Sequence, residues 1–260
     1  MQVNIVKIGG GIIENEEQLS LFLASFSKIK GAKILVHGGG RLATKIAADL
    51  GVETKMVEGR RVTDNEMLKV VTMVYGGLTN KKIVAQLQKN GMNALGLSGA
   101  DGNLIKSHKR QHATVDYGWV GDVDEVNTDL LQTLLNSGIV PVVAPLTHDG
   151  QGNMLNTNAD TIASEVAVAL AKAGVEVQLI FGFELQGVLK DFNDKSSVIS
   201  EIKPDSYQSL KSEGIIADGM IPKLDNAFSA ISKGVKAVNI CHALKVGQAV
   251  EGNSGTKIIS

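Results

Sequence analysis

The chain has 260 residues, with 26 Lys and Arg set against 27 Asp and Glu, for a formal net charge of −1. That balance excludes the basic footprint of a nucleic-acid binder or of a protein that clings to anionic membranes. An aromatic content of 4% excludes a base-stacking platform.

The single cysteine, Cys241, rules out an internal disulfide and fits a reducing, cytoplasmic compartment. The opening residues, Met1-Gln2-Val3-Asn4-Ile5-Val6-Lys7, lack the apolar core of a signal peptide. No apolar run approaches the roughly 18 residues of a membrane span. At 43% hydrophobic, the chain can bury one large core or two fused lobes.

In chain order, residues 3–8 form a short apolar run and predict a strand. Residues 16–30 place Leu19, Phe22, Leu23, Phe26 and Ile29 at helical spacing. A strand at 33–36 precedes a helical pattern over 41–50, stopped by Gly51. Residues 67–90 read as one long helix, 94–97 as a strand, 99–102 as a turn, 129–137 as a helix and 139–144 as a buried strand. Then come a helix at 158–173, a strand at 177–181, a helix at 222–233 and a strand at 237–240. Residues 111–119 and 147–156 are irregular and open to hairpins. The β-α-β alternation, with strands apolar throughout, predicts an α/β three-layer sandwich whose mainly parallel central sheet is covered on both faces. Gly174 is the best candidate for a boundary between two lobes, 1–174 and 175–260, although composition barely changes there.

Two early strands end in glycine triplets, Gly9-Gly10-Gly11 and Gly38-Gly39-Gly40. Ligands of parallel sheets bind outside the carboxyl ends of strands. A glycine-rich loop there exposes backbone N–H groups, and the following helix adds its positive end. One triplet alone is as readily a tight turn; two at equivalent places favour anion binding. No Gly-Lys dipeptide occurs, so a Walker A loop is excluded. Gly38 to Ala43 fits a loose dinucleotide fingerprint with Glu58 downstream, which keeps a nicotinamide oxidoreductase as a rival. The first triplet has no counterpart in that fold.

Five charged residues stand out. A lysine in a strand is usually an edge guard, but Lys7 directly precedes the first triplet and predicts a phosphate contact. Lys223 follows Pro222 at the start of a helix whose apolar stripe is Leu224, Ala227, Phe228 and Ile231. A cation is unfavourable at that helix end, so Lys223 either reaches solvent or meets a bound polyanion. In Asn156-Thr157-Asn158-Ala159-Asp160, either Asn158 or Asp160 suffices as a helix cap. The surplus points to a site in which Asp160 orients lysines. Arg60-Arg61 is a surface pair or a carboxylate fork. The five histidines show no metal-ligand spacing, so no protein-built metal site is expected.

Together these residues resemble the amino acid kinase family, almost end to end and in order. Lys7-Ile8-Gly9-Gly10 is similar to its opening loop and Val36-His37-Gly38-Gly39-Gly40 to its second. Gly59-Arg60-Arg61-Val62-Thr63, Gly77-Leu78-Thr79-Asn80-Lys81 and Asn156 to Asp160 resemble the G-x-R-V-T, G-x-x-N-K and N-x-N-A-D segments of members acting on N-acetyl-L-glutamate. Gly219-Met220-Ile221-Pro222-Lys223 and Gly255-Thr256-Lys257-Ile258 resemble the G-M-x-x-K and closing G-T-x-I segments.

The resemblance implies phosphoryl transfer from ATP to the γ-carboxylate of N-acetyl-L-glutamate, with Mg²⁺ arriving on ATP and no protein metal ligand. It implies Lys7, Lys223, Asp160, Gly10 and Gly39 as catalytic, and Gly38, Gly39, Arg61, Asn156 and Asn158 as substrate-binding. It also implies Lys7, Gly9, Gly10, Gly11, Phe183, Glu184 and Lys223 as ATP-binding, with the backbone N–H groups of Gly9, Gly10, Gly38 and Gly39 on the transferring phosphoryl. Residues 1–174 would carry the acyl amino acid and the dimer contact, and 175–260 the nucleotide. With the first strand starting at Val3, the N-terminal extension of arginine-inhibited hexameric relatives is not expected, and the resemblance would then imply a homodimer paired through 67–90. One departure is Phe183-Glu184-Leu185-Gln186, which stands where relatives read T/S-D-V-x. It bears on how base and ribose are held. N-succinylglutamate as acceptor, or a non-catalytic nucleotide-binding regulator, are the other readings.

Overall fold

A computed structural model of the chain describes residues 1–57, 59–191, 193–216 and 220–260. Glu58 of the loose fingerprint and Gly219 of the G-M-x-x-K segment lie outside the described residues.

Strand β1 (Gln2–Ile8) is buried at every position after Gln2, the pattern of a central parallel strand. Gly9 leads into the short α1 (Gly10–Glu14), and Asn15 caps α2 (Glu16–Ser27) by accepting the Gln18 N–H. Strand β2 (Ala32–His37) runs through the second triplet into α3 (Gly40–Asp49). The two-residue strands β3 (Met56–Val57) and β4 (Arg60–Arg61) pair antiparallel.

The expected long helix is present but not uniform. It consists of α4 (Asn65–Val71), a π-helical stretch (Thr72–Thr79) and α5 (Asn80–Lys89). The wider π turn falls at Gly76-Gly77, where a Cβ on Gly76 would lie 3.3 Å from Leu146 Cδ1. Residue spacing alone does not reveal this close approach.

Next come β5 (Ala94–Leu97), β6 (Ile105–Lys109), β7 (Gly121–Val126), α6 (Thr128–Asn136), β8 (Val140–Val143), β9 (Leu146–His148), β10 (Met154–Asn156) and α7 (Ala159–Lys172). The remainder is β11 (Glu176–Phe183), β12 (Glu201–Ile202), α8 (Pro204–Ser212), α9 (Ile221–Ser232), β13 (Ala237–His242), α10 (Val246–Val250) and β14 (Thr256–Ile258).

The main sheet has eight strands in the order β12-β14-β13-β11-β1-β2-β8-β5. Every neighbouring pair from β13 through β5 is parallel, and only β14 against β13 is antiparallel. A four-stranded sheet, β10-β9-β6-β7, stands beside it. Of the two expected hairpins, 147–156 is real, as β9 pairs antiparallel with β10. The one at 111–119 is not; that stretch joins β6 to β7, and those flanking strands form the hairpin. Their sequences, Ile105 to Lys109 and Gly121 to Val126, are loaded with charge, which hides the alternation.

Helices cover both faces of the main sheet. Val3, Ile5 and Val36 pack with α7 and α9, whereas Val6, Ile8 and Leu35 pack with α2, α5 and α10. Period-2 alternation puts Lys7 on the first of these faces, with Val3 and Ile5. β11 continues directly beside β1, from Gln2↔Glu176 to Ile8↔Gly182, so both halves of the chain share one sheet across Gly174.

Candidate active site

The two glycine triplets lie side by side at the carboxyl ends of β1 and β2. The Gly38 N–H donates to the Ile8 carbonyl at 3.0 Å. That bond corrects one expectation: the Gly38 amide is already satisfied and is not free for phosphate. At Gly39, φ is 149° and a Cβ would meet the Tyr75 ring at 3.1 Å, so only glycine fits.

A buried polar relay supports the second loop from below. The His37 ring donates from Nδ1 to the Gly38 carbonyl at 2.7 Å. Its Nε2 accepts from Asn80 Nδ2 at 3.1 Å, and Asn80 also donates to the Val142 carbonyl at 2.9 Å. Lys81 completes the relay through Asn80 Oδ1 and the Gly96 carbonyl. Asn80 and Lys81 of the G-x-x-N-K segment therefore build the floor of the loop.

Burial pushes the His37 pKa down to about 4. Between that value and the ordinary 6.5, the unfolded chain binds a proton that the folded protein does not. Stability therefore rises with pH across this window and is lost as pH falls through it, by about 2–3 kcal/mol at pH 4.5. Urea melts at pH 7.5 and about pH 4.5 should show a steeper loss for the parent protein than for His37→Gln. Parallel losses would contradict the neutral buried imidazole.

Above the loop, Lys7 is only 7% exposed, and its Nζ lies 2.7 Å from Asp160 Oδ1. Asp160 sits in the first turn of α7. The Asn158 side-chain oxygen accepts from the Asp160 and Thr161 N–H groups at 2.8 and 3.1 Å. Asn158 is thus the cap, and the Asp160 carboxylate is left for the lysine. Lys223 enters from the first turn of α9. Partial burial lowers its pKa; Asp160 opposes that shift and Lys7 adds to it.

Lys7, Asp160 and Lys223 border one cavity of about 450 Å³, together with Gly38, Gly39, Arg61, Asn156 and Asn158. The N-termini of α3, α7 and α9 all abut it, and α3 and α9 carry no acidic residue in the first turn. Among the described residues, no acidic side chain in those first turns offsets their positive ends. Arg61 donates to the Gly40 carbonyl and to Thr44 Oγ1, each at 2.8 Å, so it both ties down the start of α3 and faces the cavity. Burial raises the Tyr75 pKa, with Arg61 opposing. Asn156 is held by Thr63 Oγ1 at 2.9 Å.

A second cavity of about 300 Å³ adjoins the first and is bordered by Gly9, Gly11, Phe183, Glu184 and Lys223. Lys223 is common to both. Glu184 lies 3.7 Å from Arg41 in an exposed pair. A Cβ on Gly11 would fall 1.9 Å from Glu184 Oε1, so a side chain there would displace the exposed Glu184 carboxylate. Gly10 opens α1 and borders neither of these cavities.

The sequence reading missed Arg110, Tyr75 and Asn226, which also border the larger cavity. Arg110 lies between β6 and β7, forked onto both Asp122 oxygens at 3.0 and 3.1 Å from Nε; this bond holds the Asp122 carboxyl below its usual range. Nothing local marks Arg110 or Tyr75. Asn226 was within reach, because it lies three residues beyond Lys223 on the same helix. Among the described residues, no group of three or more His, Cys, Asp or Glu could hold a metal ion, and no helix is long and apolar enough to cross a membrane.

Fold and site together define an α/β protein in which glycine loops, helix N-termini and two lysines meet at the carboxyl edge of a parallel sheet. Residues 2–242 match the amino acid kinase family. Curated relatives include the acetylglutamate kinase of Cytophaga hutchinsonii, 58% identical over 98% of both chains. That of Parabacteroides distasonis is 60% identical, again over 98% of both chains. Among solved structures, smu.665 from Streptococcus mutans superposes with a TM-score of 0.76 at 28% identity, covering 99% of this chain and 98% of its own. The chain belongs to the amino acid kinase family.

Proposed function

We propose that the protein transfers the γ-phosphoryl of ATP to the γ-carboxylate of N-acetyl-L-glutamate, giving N-acetyl-L-glutamyl 5-phosphate and ADP in arginine biosynthesis. One observation carries this reading: Lys223 borders both adjoining cavities, and Lys7 with its Asp160 partner stands in one of them. The name borne by relatives at 58% and 60% identity supports the choice of acceptor.

A glutamate side chain is ionised at pH 7, so the nucleophile needs no general base. The barrier is electrostatic, because an anion must reach a polyanion. Lys7 and Lys223 neutralise the transferring phosphoryl and the leaving phosphate, and fixed geometry replaces solvent reorganisation. Asp160 holds Lys7 directly and stabilises the Lys223 ammonium across the cavity. The larger cavity takes the acyl amino acid, with Arg61 and Asn158 on its α-carboxylate. The smaller takes the nucleotide, at Gly9, Gly11, Phe183 and Glu184, so residues 175–260 supply most of its walls. Asp160, the one acid bordering the larger cavity among the described residues, is paired with Lys7, and Glu184 with Arg41. Such a donor set fits a Mg²⁺ ion held by phosphate oxygens and water, where it would reduce phosphate charge. Met73 and Leu78, 55% and 52% exposed on the π-helical stretch, support a homodimer paired through that helix. The charge balance and lone buried cysteine support a cytoplasmic location.

Arg61→Ala should raise KM for the acyl amino acid about 10- to 100-fold, the worth of a charge-assisted bond to a carboxylate. KM for ATP should stay unchanged; equal effects on both would contradict the assignment. The function itself is tested by trapping the acyl phosphate as a hydroxamate, with ADP release measured in parallel. N-acetyl-L-glutamate, N-succinyl-L-glutamate and L-aspartate are offered as acceptors. N-acetylglutamate should be preferred. Preference for the succinyl compound would change the acyl assignment, and no acyl phosphate with any acceptor would end the kinase reading.

A further inference from the structure

Phe183 stands at the departure from the T/S-D-V-x pattern, and phosphoryl transfer as described gives it no task beyond walling the smaller cavity. It lies on the same face of β11 as Phe181, which is the register partner of Lys7. The two rings stack with centroids 6.1 Å apart and planes within 16°. Lys223 Nζ lies 3.8 Å from the Phe183 ring centre, and Lys7 Nζ lies 5.5 Å from it. Both fall within the range over which an aromatic face attracts an ammonium, and the first is close contact.

Lys223 needs such a partner. It sits at the positive end of α9, partly withdrawn from water, in a pocket that already holds Lys7. The nearby carboxylate, Asp160, is committed to Lys7 at 2.7 Å. A lysine side chain left alone there would swing toward solvent and give up its place between the cavities. A second carboxylate would hold it, but would also repel the incoming phosphates and compete with them for the cation. A ring does neither. Its quadrupole attracts over a short range and is weaker than a charge-assisted bond to phosphate, so the ammonium is released when the polyanion arrives.

We infer that Phe183 is a positioning residue whose ring face holds the Lys223 ammonium at the junction of the two cavities before nucleotide binds. Stacking on Phe181 fixes the ring, and the ring fixes the cation where charge will build. The catalytic consequence rests on the proposed kinase reaction; the contact itself does not.

The test therefore has two arms. In the free protein, the ring current should move the Lys223 side-chain methylene protons upfield in the NMR spectrum. Loss of the signal in Lys223→Arg assigns it, and Phe183→Leu should abolish the shift. In turnover, Phe183→Leu should lower kcat about three- to tenfold, with KM for the acyl amino acid unchanged. Replacing Phe183 by 3,4,5-trifluorophenylalanine keeps shape and stacking but weakens the negative face, and should lower kcat by part of that amount. A ring that merely walls the cavity would give a different pattern: a raised KM for ATP in Phe183→Leu and a trifluoro variant equal to the parent. That pattern, or an unshifted Lys223 signal in the parent, overturns the inference. A parent protein that forms no acyl phosphate would count against the kinase reading alone, and the NMR arm would still decide the contact.

Discussion

Lys7→Ala should lower kcat by about 10²-fold or more, the usual loss when one preorganised electrostatic group leaves a phosphoryl- or acyl-transfer site. The fold should survive. Lys7 lies on the central strand with its side chain 9% exposed, but the Asp160 side chain left behind is 31% exposed, so water can solvate the freed carboxylate. Circular dichroism melts and an ADP-release assay on the same preparation separate the two effects. Unchanged turnover would remove Lys7 from the mechanism.

Asp160→Ala should be damaging for the opposite reason. It strips the counter-ion from the more deeply buried partner, and an unpaired buried cation costs about 3 kcal/mol or more. Turnover should also fall about 10²-fold, because Lys7 loses the partner that orients it. The double variant Lys7→Met/Asp160→Ala tells structure from chemistry. Replacing a buried pair by apolar groups is often neutral, so stability should return while activity stays lost. Recovery of both, or of neither, would contradict the assignment of Asp160 as the residue that orients Lys7.

The fold was legible because its signals are local. Short apolar runs such as residues 3–8 and 33–36 favour buried strands, and the two glycine triplets mark where those strands end. The strands β6 and β7 were not legible, since the polar Ser107 takes a buried place on β6 and a register shift between Lys106 and Ser107 breaks the alternation on β7 at Asp124-Glu125. The π-helical stretch was hidden because residue spacing does not distinguish it from α-helix, and the Leu146 side chain that approaches Gly76 lies on a distant strand. The site divides the same way. Lys7 and Lys223 stood out because each breaks a local rule, one as a lysine in an apolar strand and the other as a cation at a helix N-terminus. Arg110 breaks none. It reaches the cavity only because the β6–β7 connection crosses toward α7, a contact that no local spacing encodes. The hydrogen bond of Gly38 could not be read from the sequence, since only the fold brings the Ile8 carbonyl to its N–H.

The central claim is that two ammonium groups from strands and helices far apart in the chain act on one phosphoryl group. Crystals grown with ADP, magnesium, aluminium fluoride and N-acetyl-L-glutamate would test it most directly. The aluminium fluoride should lie in line between ADP and the substrate carboxylate, with Lys7 Nζ and Lys223 Nζ both in hydrogen-bond contact with it or with the bridging oxygen. A fluoride group touched by neither lysine, or nucleotide and amino acid bound in cavities that do not meet, would contradict it.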